Sequence, residues 1–396
     1  MLPKLFLRKN EEFRIKNGHQ WIFSNEIAKI EAEAGNGDLV EIYDWKNNLL
    51  GTGFYNKNSL ISFRLLSHGK INDLSELIYE RIRTAYKLRK ELYPKRNSFR
   101  LAFSESDFLP GVIIDKYNDS CVLQVYSAGM EKNIDLIVKA LDQEVKAVNI
   151  FSKNEEFFRK LEGLPAEDTI YLGQMTKEVI DDGSVKFRID FEKSHKTGFY
   201  FDQCDNRAFI ERIVKGKKVI DAFCNSGGFG LHACIAGASS VTFLDSSSNE
   251  IENVKENISL NSLKTNCEFA VDDVFDYFEK ALQKGISYDV VMIDPPAFAK
   301  NKKSLPIAKK GYEKLNRLAL SLVNKDEGFL VTSSCSHHLK KEEFIDMINT
   351  AAAKSGRTVQ LIHFNNASLD HPQLPSMEET VYLKFAVLKV SKNKSV

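Results

Sequence analysis

The sequence lacks any long apolar run. None of its windows approaches the roughly 18 uninterrupted apolar residues of a membrane-spanning helix, and its first residues, MLPKLFLRKNEEFRIKNG, are interrupted by charges. We therefore expect neither a membrane span nor a secretion signal. The six cysteines include no CxxC pair. Their scatter argues against a disulfide framework and a structural zinc site, and it predicts a reducing, cytoplasmic location.

The chain also lacks a charge excess. Its 55 basic and 54 acidic residues give a net charge of +1, so any nucleic-acid binding must come from local patches. Apolar residues make up 43% and charged residues 28% of the 396 positions. This composition is typical of a soluble globular protein, and the length predicts two or three domains.

Three regions differ in their pattern. Residues 1–71 hold short β-type runs, DLVEIYD, NLLGTGFY and LISFRLL, separated by turn residues, which predicts a small β barrel. Residues 72–190 begin with an amphipathic helix over 72–93 and continue with strands such as VIIDKY and CVLQVYS around one helix at 130–142. That mixture indicates an α+β domain. Residues 191–396 form the third region.

Strands and helices alternate through most of the third region. KKVIDAF, VTFLD, CEFAV, YDVVMID and GFLVTSS have the short apolar pattern of strands, and helical stretches lie between them. The alternation predicts an α/β domain with a doubly wound, mostly parallel sheet. TVQLIHF and TVYLKFAVLKV follow each other without a helix. We expect them to form an antiparallel pair at one edge of the sheet.

Acidic residues mark the carboxyl ends of these strands, where open α/β sheets bind their ligands. Four of the five ends carry an aspartate, at Asp221, Asp245, Asp272 with Asp273, and Asp294. Asp245 could accept both hydroxyls of a ribose, or it could cap the following helix. Asp273 could accept an adenine amino group, or it could be a helix N-cap.

The glycines after the first strand, in DAFCNSGGFG, do not form the GxGxxG pattern of dinucleotide sites. An acidic loop suits the sulfonium of S-adenosylmethionine better than a pyrophosphate, because carboxylates repel phosphates and attract cations. The strand ends together predict an S-adenosylmethionine site. A dinucleotide oxidoreductase fits the predicted sheet but not the acidic loops.

Two of the five strand ends also carry candidate groups that could act on the methyl acceptor. In IDPPAFAK the double proline fixes Asp294, and Phe298 is available to stack on a flat substrate. In VTSSCSHH, Cys335 follows the next strand. A thiolate that adds to cytosine C6 makes C5 nucleophilic, and an acid near N3 assists. The alternatives are an inert buried cysteine and a metal site with His337 and His338, for which a third ligand is missing.

Basic residues cluster in two places. The stretch 81–100 interleaves arginine and lysine with aromatic residues, and further lysines follow the DPP turn at 299–304 and 308–310. Either cluster could bind RNA phosphates. Either could also be the solvated face of a helix.

The chain resembles the ribosomal RNA large subunit methyltransferase I type of cytosine-C5 methyltransferases over residues 17–391. HQWIFSNEI and LLGTGFYNKNSLISFRLL look like its PUA domain, an RNA-binding β barrel, and FLPGVIIDKYND like its linking domain. SHKTGFYFDQCDNR, DAFCNSGGF, DPPAF, SSCS and LDHPQLPSMEETVYLK are similar to its methyltransferase segments. Ala297 stands where many other RNA cytosine-C5 methyltransferases carry a second cysteine, a cysteine that this type also lacks.

The resemblance implies a fold and a set of site residues. The expected domains are a PUA-like β domain at 1–71, an α+β linking domain at 72–190, and a Rossmann-like class I methyltransferase domain with a seven-stranded sheet at 191–396. The expected catalytic residues are Cys335 as nucleophile and Asp294 at the target base. The expected cofactor-binding residues are Gln203, Asp221, Phe223, Asn225, Ser226, Gly227, Asp245, Asp272 and Asp273. The expected substrate-binding residues are Phe298, Lys300, Lys302 and Lys303, and no metal is expected.

The resemblance also implies a function. We expect a cytoplasmic enzyme that transfers a methyl group from S-adenosylmethionine to C5 of a cytosine in large-subunit ribosomal RNA, with no membrane partner. Two alternatives stay open: methyl transfer to an exocyclic amine of RNA, and RNA binding by a protein whose methyltransferase domain is inactive. The oligomeric state is also open, a homodimer being one option.

Overall fold

The computed structural model describes residues 1–194, 196–299 and 301–392. The chain divides into two compact units. The first unit consists of Met1–Ile180, Ile189–Phe201 and Leu369–Thr380. The second consists of Asp181–Arg188, Asp202–Ser368 and Val381–Val396. The three-domain division at residues 71 and 190 stays a prediction.

The first unit begins with a six-stranded sheet. Its elements are β1 (Lys4–Leu7), α1 (Phe13–Lys16), β2 (Trp21–Phe23), β3 (Ile27–Glu31), β4 (Asp38–Tyr43), β5 (Leu49–Tyr55) and β6 (Ile61–Ser67). The strand order is β2-β6-β5-β4-β1-β3, with β1 and β4 parallel. Gly53 lets β5 and β6 approach closely, because a Cβ there would lie 2.1 Å from the carbonyl oxygen of Arg64.

A long helix and a five-stranded sheet follow. The elements are α2 (Leu74–Leu92), β7 (Phe99–Phe103), β8 (Val112–Tyr117), β9 (Ser120–Val125), α3 (Ala128–Lys132), α4 (Ile134–Ala140), β10 (Asn149–Ser152), α5 (Glu156–Glu162) and β11 (Ile170–Leu172). The strand order is β11-β10-β9-β8-β7. The single helix predicted at 130–142 is wrong. Asn133 has non-helical dihedrals, and its side-chain amide donates to the Gly129 carbonyl, which separates α3 from α4.

Two more strands, β12 (Lys177–Asp181) and β13 (Lys186–Asp190), form a two-stranded sheet. The second unit then supplies α6 (Cys204–Ile210), β14 (Lys218–Ala222), α7 (Gly228–Ile235), β15 (Ser240–Asp245), α8 (Ser248–Leu260), β16 (Asn266–Val271), α9 (Val274–Gln283), β17 (Val290–Ile293), α10 (Leu305–Leu322), β18 (Glu327–Ser334), α11 (Lys341–Lys354), β19 (Arg357–Asn365) and β20 (Lys384–Lys392). Helix α10 begins at Leu305, because Pro306 is compatible with a first helical turn.

The strands of the second unit form one seven-stranded sheet in the order β16-β15-β14-β17-β18-β20-β19. Strands β14 to β18 pair in parallel, and β20 pairs antiparallel with both β18 and β19. The predicted mostly parallel sheet with an antiparallel edge is confirmed. No helix within 1–194, 196–299 and 301–392 has the length and apolar content needed to cross a bilayer.

A buried arginine anchors α2 in the first unit. The guanidinium of Arg89 is fully buried and donates to both carboxylate oxygens of Asp107, at 2.5 and 2.7 Å. It also donates to the backbone carbonyls of Arg100 and Asp370, at 2.9 and 2.7 Å. A buried charge is tolerated when it is paired and hydrogen-bonded in this way.

The same contacts change the interpretation of the basic stretch 81–100. Besides Arg89, the Arg100 side chain forms two 2.8 Å hydrogen bonds with Asp115, and Arg81 donates to two backbone carbonyls. These three arginines are therefore engaged within the protein, and RNA binding by the other basic residues of the stretch stays a hypothesis.

We expect Arg89→Met to destabilise the protein strongly. The change leaves the Asp107 carboxylate buried without its counter-charge, which costs about 3–5 kcal/mol of unfolding free energy. Urea denaturation followed by circular dichroism measures the loss. The matched control is Arg83→Met on the same helix, since Arg83 is 39% exposed and pairs with Glu80. The control should cost less than about 1 kcal/mol, and equal losses in the two variants would contradict the assignment.

Candidate active site

Five parallel strands end at one edge of the seven-stranded sheet, and the predicted site residues lie at those ends. Asp221 is the penultimate residue of β14, Asp245 ends β15, and Asp272 follows β16. Asp294 follows β17 and Cys335 follows β18. The parallel pairing therefore brings these side chains to the same edge.

The loop after β14 makes a tight turn through left-handed backbone conformations. Phe223, Asn225 and Gly227 have φ values of 62°, 49° and 88°. The glycine tolerates this geometry freely, whereas the two other residues pay a strain cost for it. The Ser226 carbonyl accepts a 3.1 Å hydrogen bond from the amide of Asn257 on α8. All four predicted cofactor-binding residues of this loop are therefore held in one turn; their contacts with a cofactor stay a prediction.

Two aspartates accept hydrogen bonds from backbone N–H groups in and next to this loop. The carboxylate of Asp221 is buried and accepts the backbone N–H of Gly230 at 2.7 Å, at the start of α7. Asp245 accepts the N–H of Asn225 at 3.0 Å with one oxygen and the N–H of Ser247 at 2.9 Å with the other. Each carboxylate oxygen of Asp245 keeps acceptor capacity, so a role in binding ribose hydroxyls stays a prediction.

The acids after β16 are engaged locally. Asp273 is the N-cap of α9, and its side chain accepts the N–H groups of Phe275 and Asp276 at 2.8 and 3.2 Å. Asp272 forms a 2.7 Å ion pair with Lys280. The helix-cap alternative for Asp273 is therefore observed, and its contact with adenine stays a prediction.

Asp294 lies partly buried at the centre of a hydrogen-bond network. The Gln203 amide donates to it at 3.1 Å, and the Ser333 hydroxyl donates to the same carboxylate oxygen. Gln203 is itself oriented by Asn206, whose amide donates to it at 2.7 Å. Gln203 and Asp294, predicted for cofactor and target base, are thus direct neighbours.

Burial raises the pKa of two of these carboxyl groups. The pKa of Asp221 is raised to about 7, chiefly by desolvation, with the charges of Asp294 and Asp245 adding to the shift and the Gly230 N–H opposing it. The pKa of Asp294 is raised to about 6 by desolvation, against the hydrogen bonds from Ser333 and Gln203. Buried carboxyl groups with raised pKa values favour binding of a cationic ligand, because a nearby positive charge stabilises their ionised form.

Cys335 lies directly beside the DPP turn. Strands β17 and β18 pair in parallel with Ile293 opposite Thr332, and the Cys335 Sγ lies 4.0 Å from the carbonyl oxygen of Pro295. Cys335 is partly exposed, whereas Cys224 in the β14 loop is buried. The structure therefore brings the predicted nucleophile and the predicted acid to neighbouring strand ends; their catalytic roles stay predictions.

Sequence reasoning missed the residues that hold this thiol in place. The Ser336 hydroxyl lies 2.9 Å from the Tyr312 hydroxyl and accepts the N–H of Ala299 at 3.3 Å. The Ser336 carbonyl accepts the buried ammonium of Lys384 at 2.6 Å. The serine was visible in the motif SSCS, but its partners lie far away in the sequence, and no pattern indicated that they would meet it.

The predicted substrate-binding residues differ in their contacts and in their exposure. The ring of Phe298 packs on that of Tyr312, with centroids 4.5 Å apart and an interplanar angle of 30°. Lys302 and Lys303 are exposed in a short 3-10 helix, Lys302–Ser304. Lys300 lies outside the described residues. The part of the chain that the structure describes holds no group of three His, Cys, Asp or Glu side chains arranged to bind a metal.

The raised pKa values make cofactor affinity pH-dependent. As pH falls through about 7 and about 6, Asp221 and Asp294 take up protons and lose the negative charge that attracts a sulfonium. We expect the dissociation constant of S-adenosylmethionine to rise by about tenfold between about pH 8 and about pH 5. S-adenosylhomocysteine lacks the sulfonium charge and serves as the control ligand. Isothermal calorimetry checks this, and the same pH dependence for both ligands would contradict it.

Comparison with known proteins matches two parts of the chain to family models. A family model described as a PUA-like domain matches residues 5–68, and one described as an S-adenosylmethionine-dependent methyltransferase matches residues 168–388. The fold matches the crystal structure of SMU.776 complexed with SAH, with a TM-score of 0.85 and 23% identity over 98% of this chain and 100% of the other. The predicted fold class and the predicted cofactor, S-adenosylmethionine, are confirmed.

Curated relatives extend the match over the whole chain. Ribosomal RNA large subunit methyltransferase I of Tolumonas auensis is 34% identical over 396 residues, covering 98% of this chain and all of the relative. The protein of the same name from Klebsiella pneumoniae strain 342 is 34% identical over 390 residues, covering 97% of each chain. The chain therefore belongs to the ribosomal RNA large subunit methyltransferase I family, S-adenosylmethionine-dependent methyltransferases with a PUA-like domain.

Proposed function

We propose that this protein methylates C5 of a cytosine in large-subunit ribosomal RNA through a covalent bond between Cys335 and cytosine C6. One observation carries the proposal: a partly exposed thiol and a carboxyl with a raised pKa stand at the ends of two neighbouring parallel strands. The names of the relatives support ribosomal RNA of the large subunit as the substrate.

The thiolate of Cys335 begins the proposed reaction. Its sulfur forms a bond with C6, and the electron pair of the C5–C6 double bond moves onto the ring, which makes C5 nucleophilic. C5 would take the methyl group that S-adenosylmethionine supplies, and the sulfur would keep the electron pair of the broken S–CH3 bond and leave as S-adenosylhomocysteine. Removal of the C5 proton then restores the double bond and expels the Cys335 thiolate, so the enzyme is regenerated.

Asp294 is proposed to assist at N3. Negative charge develops on the ring when the thiolate adds, and a hydrogen bond from a protonated carboxyl at N3 stabilises it. A pKa of about 6 leaves part of the Asp294 population protonated near neutral pH. An acid with a pKa close to the working pH is well suited to both give and regain a proton. Gln203 and Ser333 orient this carboxyl.

RNA contacts are proposed on both units. In the second unit, Phe298 is proposed to contact the base, and the exposed Lys302 and Lys303 the neighbouring phosphates. In the first unit, Trp45 follows β4 and is 45% exposed. The ammonium groups of Lys9 and Lys46 lie 5.3 and 5.0 Å from its ring centroid. An exposed aromatic ring flanked by two cations is well suited to stack on an unpaired base beside phosphates.

We expect Cys335→Ala to lower the rate of methyl transfer by at least about a thousandfold, because alanine lacks the sulfur proposed to form the bond to C6. S-adenosylmethionine binding, measured by calorimetry, should be retained. Cys267→Ala is the matched control, since Cys267 is also partly exposed but lies on β16.

Bisulfite mapping of ribosomal RNA from a strain lacking the gene should show one 5-methylcytosine lost. Wild-type methylation by Cys335→Ala would favour transfer to an exocyclic amine instead.

We expect Trp45→Ala to weaken RNA binding by about tenfold, since stacking on an aromatic side chain contributes about 1–3 kcal/mol per base. Fluorescence anisotropy with a labelled large-subunit RNA fragment measures the dissociation constant. Phe157→Ala is the control, because Phe157 is 69% exposed and, among the described residues, no lysine or arginine stacks on its ring. The proposal for Trp45 fails if both variants bind as tightly as the wild type.

A further inference from the structure

A buried lysine stands next to the proposed nucleophile. Lys384 is the first residue of β20 and lies opposite Ser334 in the antiparallel pair with β18. Lys384 is 3% exposed. The ammonium donates to the backbone carbonyl of Ser336 at 2.6 Å and to that of Tyr382 at 2.7 Å. One of its two anchors is therefore the residue directly after Cys335.

No carboxylate among the described residues forms an ion pair with this ammonium. The acidic groups that act on its pKa are Cys335 and Glu343. Glu343 has partners of its own, because it forms a 2.6 Å ion pair with Lys309 and accepts the Lys340 N–H at 3.0 Å. The ammonium of Lys384 is instead held by backbone carbonyls, one of them directly after Cys335.

Lys384 is protonated near neutral pH. Burial lowers its pKa to about 8, and the negative charges of Cys335 and Glu343 oppose that shift. Other titratable side chains on the surrounding elements include Asp294 after β17, Tyr312 on α10, His337 after β18, and Tyr382 before β20. Burial raises the pKa of Tyr312 from its usual value, so this phenol stays neutral. Lys384 contacts the backbone of the Cys335 loop through its ammonium.

We propose that Lys384 is a positioning residue that fixes the loop carrying Cys335 and stabilises the Cys335 thiolate. The inference rests on the proposed function, in which Cys335 is the nucleophile. An ammonium beside a cysteine favours ionisation of the thiol, whose proton passes to water. The same charge would stabilise the thiolate again when it is expelled from C6.

The test is the pH dependence of Cys335 alkylation by iodoacetamide, which requires neither RNA nor cofactor. Mass spectrometry of the tryptic peptide 326–340 reports Cys335 separately, because that peptide contains no other cysteine. The variants are Lys384→Met, which removes the charge, and Lys384→Arg, which keeps it. Lys389→Met is the matched control, since Lys389 lies on the same strand but pairs with Glu327.

We expect Lys384→Met to alkylate at Cys335 about tenfold more slowly at neutral pH, with its midpoint about one unit higher. Lys384→Arg should restore most of the wild-type rate, and Lys389→Met should match the wild type. An unchanged midpoint in Lys384→Met overturns the inference. The wild type alone also decides, should Lys384→Met not fold: a Cys335 midpoint at or above the ordinary thiol value of about 8.5 overturns it as well.

Failure of the inference differs from failure of the proposed function. A Cys335 thiol whose reactivity depends on Lys384, in a protein that produces no 5-methylcytosine, supports the inference and rejects the cytosine-C5 reaction. Formation of 5-methylcytosine that depends on Cys335, with alkylation independent of Lys384, supports the reaction and overturns the role of Lys384.

Discussion

The hydrogen bond from the Ser333 hydroxyl to the Asp294 carboxyl joins the ends of β17 and β18, and the candidate site depends on it. The parallel register with Ile293 opposite Thr332 puts these two residues side by side. Side chains alternate between the two faces of a strand, so a slip of one residue would turn Ser333 away from Asp294. The thiol of Cys335 would then lose its place beside the DPP turn. The register of one strand pair therefore sets the distance between the acid and the sulfur.

The edge of the sheet combines two opposite electrostatic environments. Around β14, β15 and β17 the groups are acidic, and burial keeps the carboxyl groups of Asp221 and Asp294 at raised pKa values. At the loop after β18, the buried ammonium of Lys384 supplies a positive charge. The acidic side suits a cationic cofactor, and the basic side suits an anionic sulfur. The parallel strands supply the acidic groups, and the antiparallel strand β20 supplies the positive charge of Lys384.

Local pattern was sufficient to predict the sheet and the strand ends at which several candidate residues lie. The alternation of short apolar runs with helices predicted the parallel strands, and Asp245, Asp294 and Cys335 lie at strand ends. These positions could be predicted because both the strands and their polar ends are encoded by neighbouring residues. The family resemblance then added Gln203, which pattern alone did not indicate.

Long-range partners could not be predicted in this way. Arg89 stands in a basic stretch that is typical of an RNA-binding face, yet its carbonyl partner Asp370 is 281 residues away. Lys384 was invisible for the same reason, since its proximity to Cys335 follows from the antiparallel pairing of β18 with β20. Composition records that a charge is present but not which distant group neutralises it.

The position of β20 in the sheet has a consequence for biosynthesis. Strand β20 is the last of the described elements, yet it lies between β18 and β19 and not at the edge. Its residues follow β18 and β19 in the sequence, so during translation β18 emerges with one side unpaired, and β19 emerges before β20, the strand with which it pairs. The hydrogen bond from Lys384 to the loop that carries Cys335 forms only when β20 inserts. The loop that carries the thiol therefore gains this anchor from a strand that is synthesised after it.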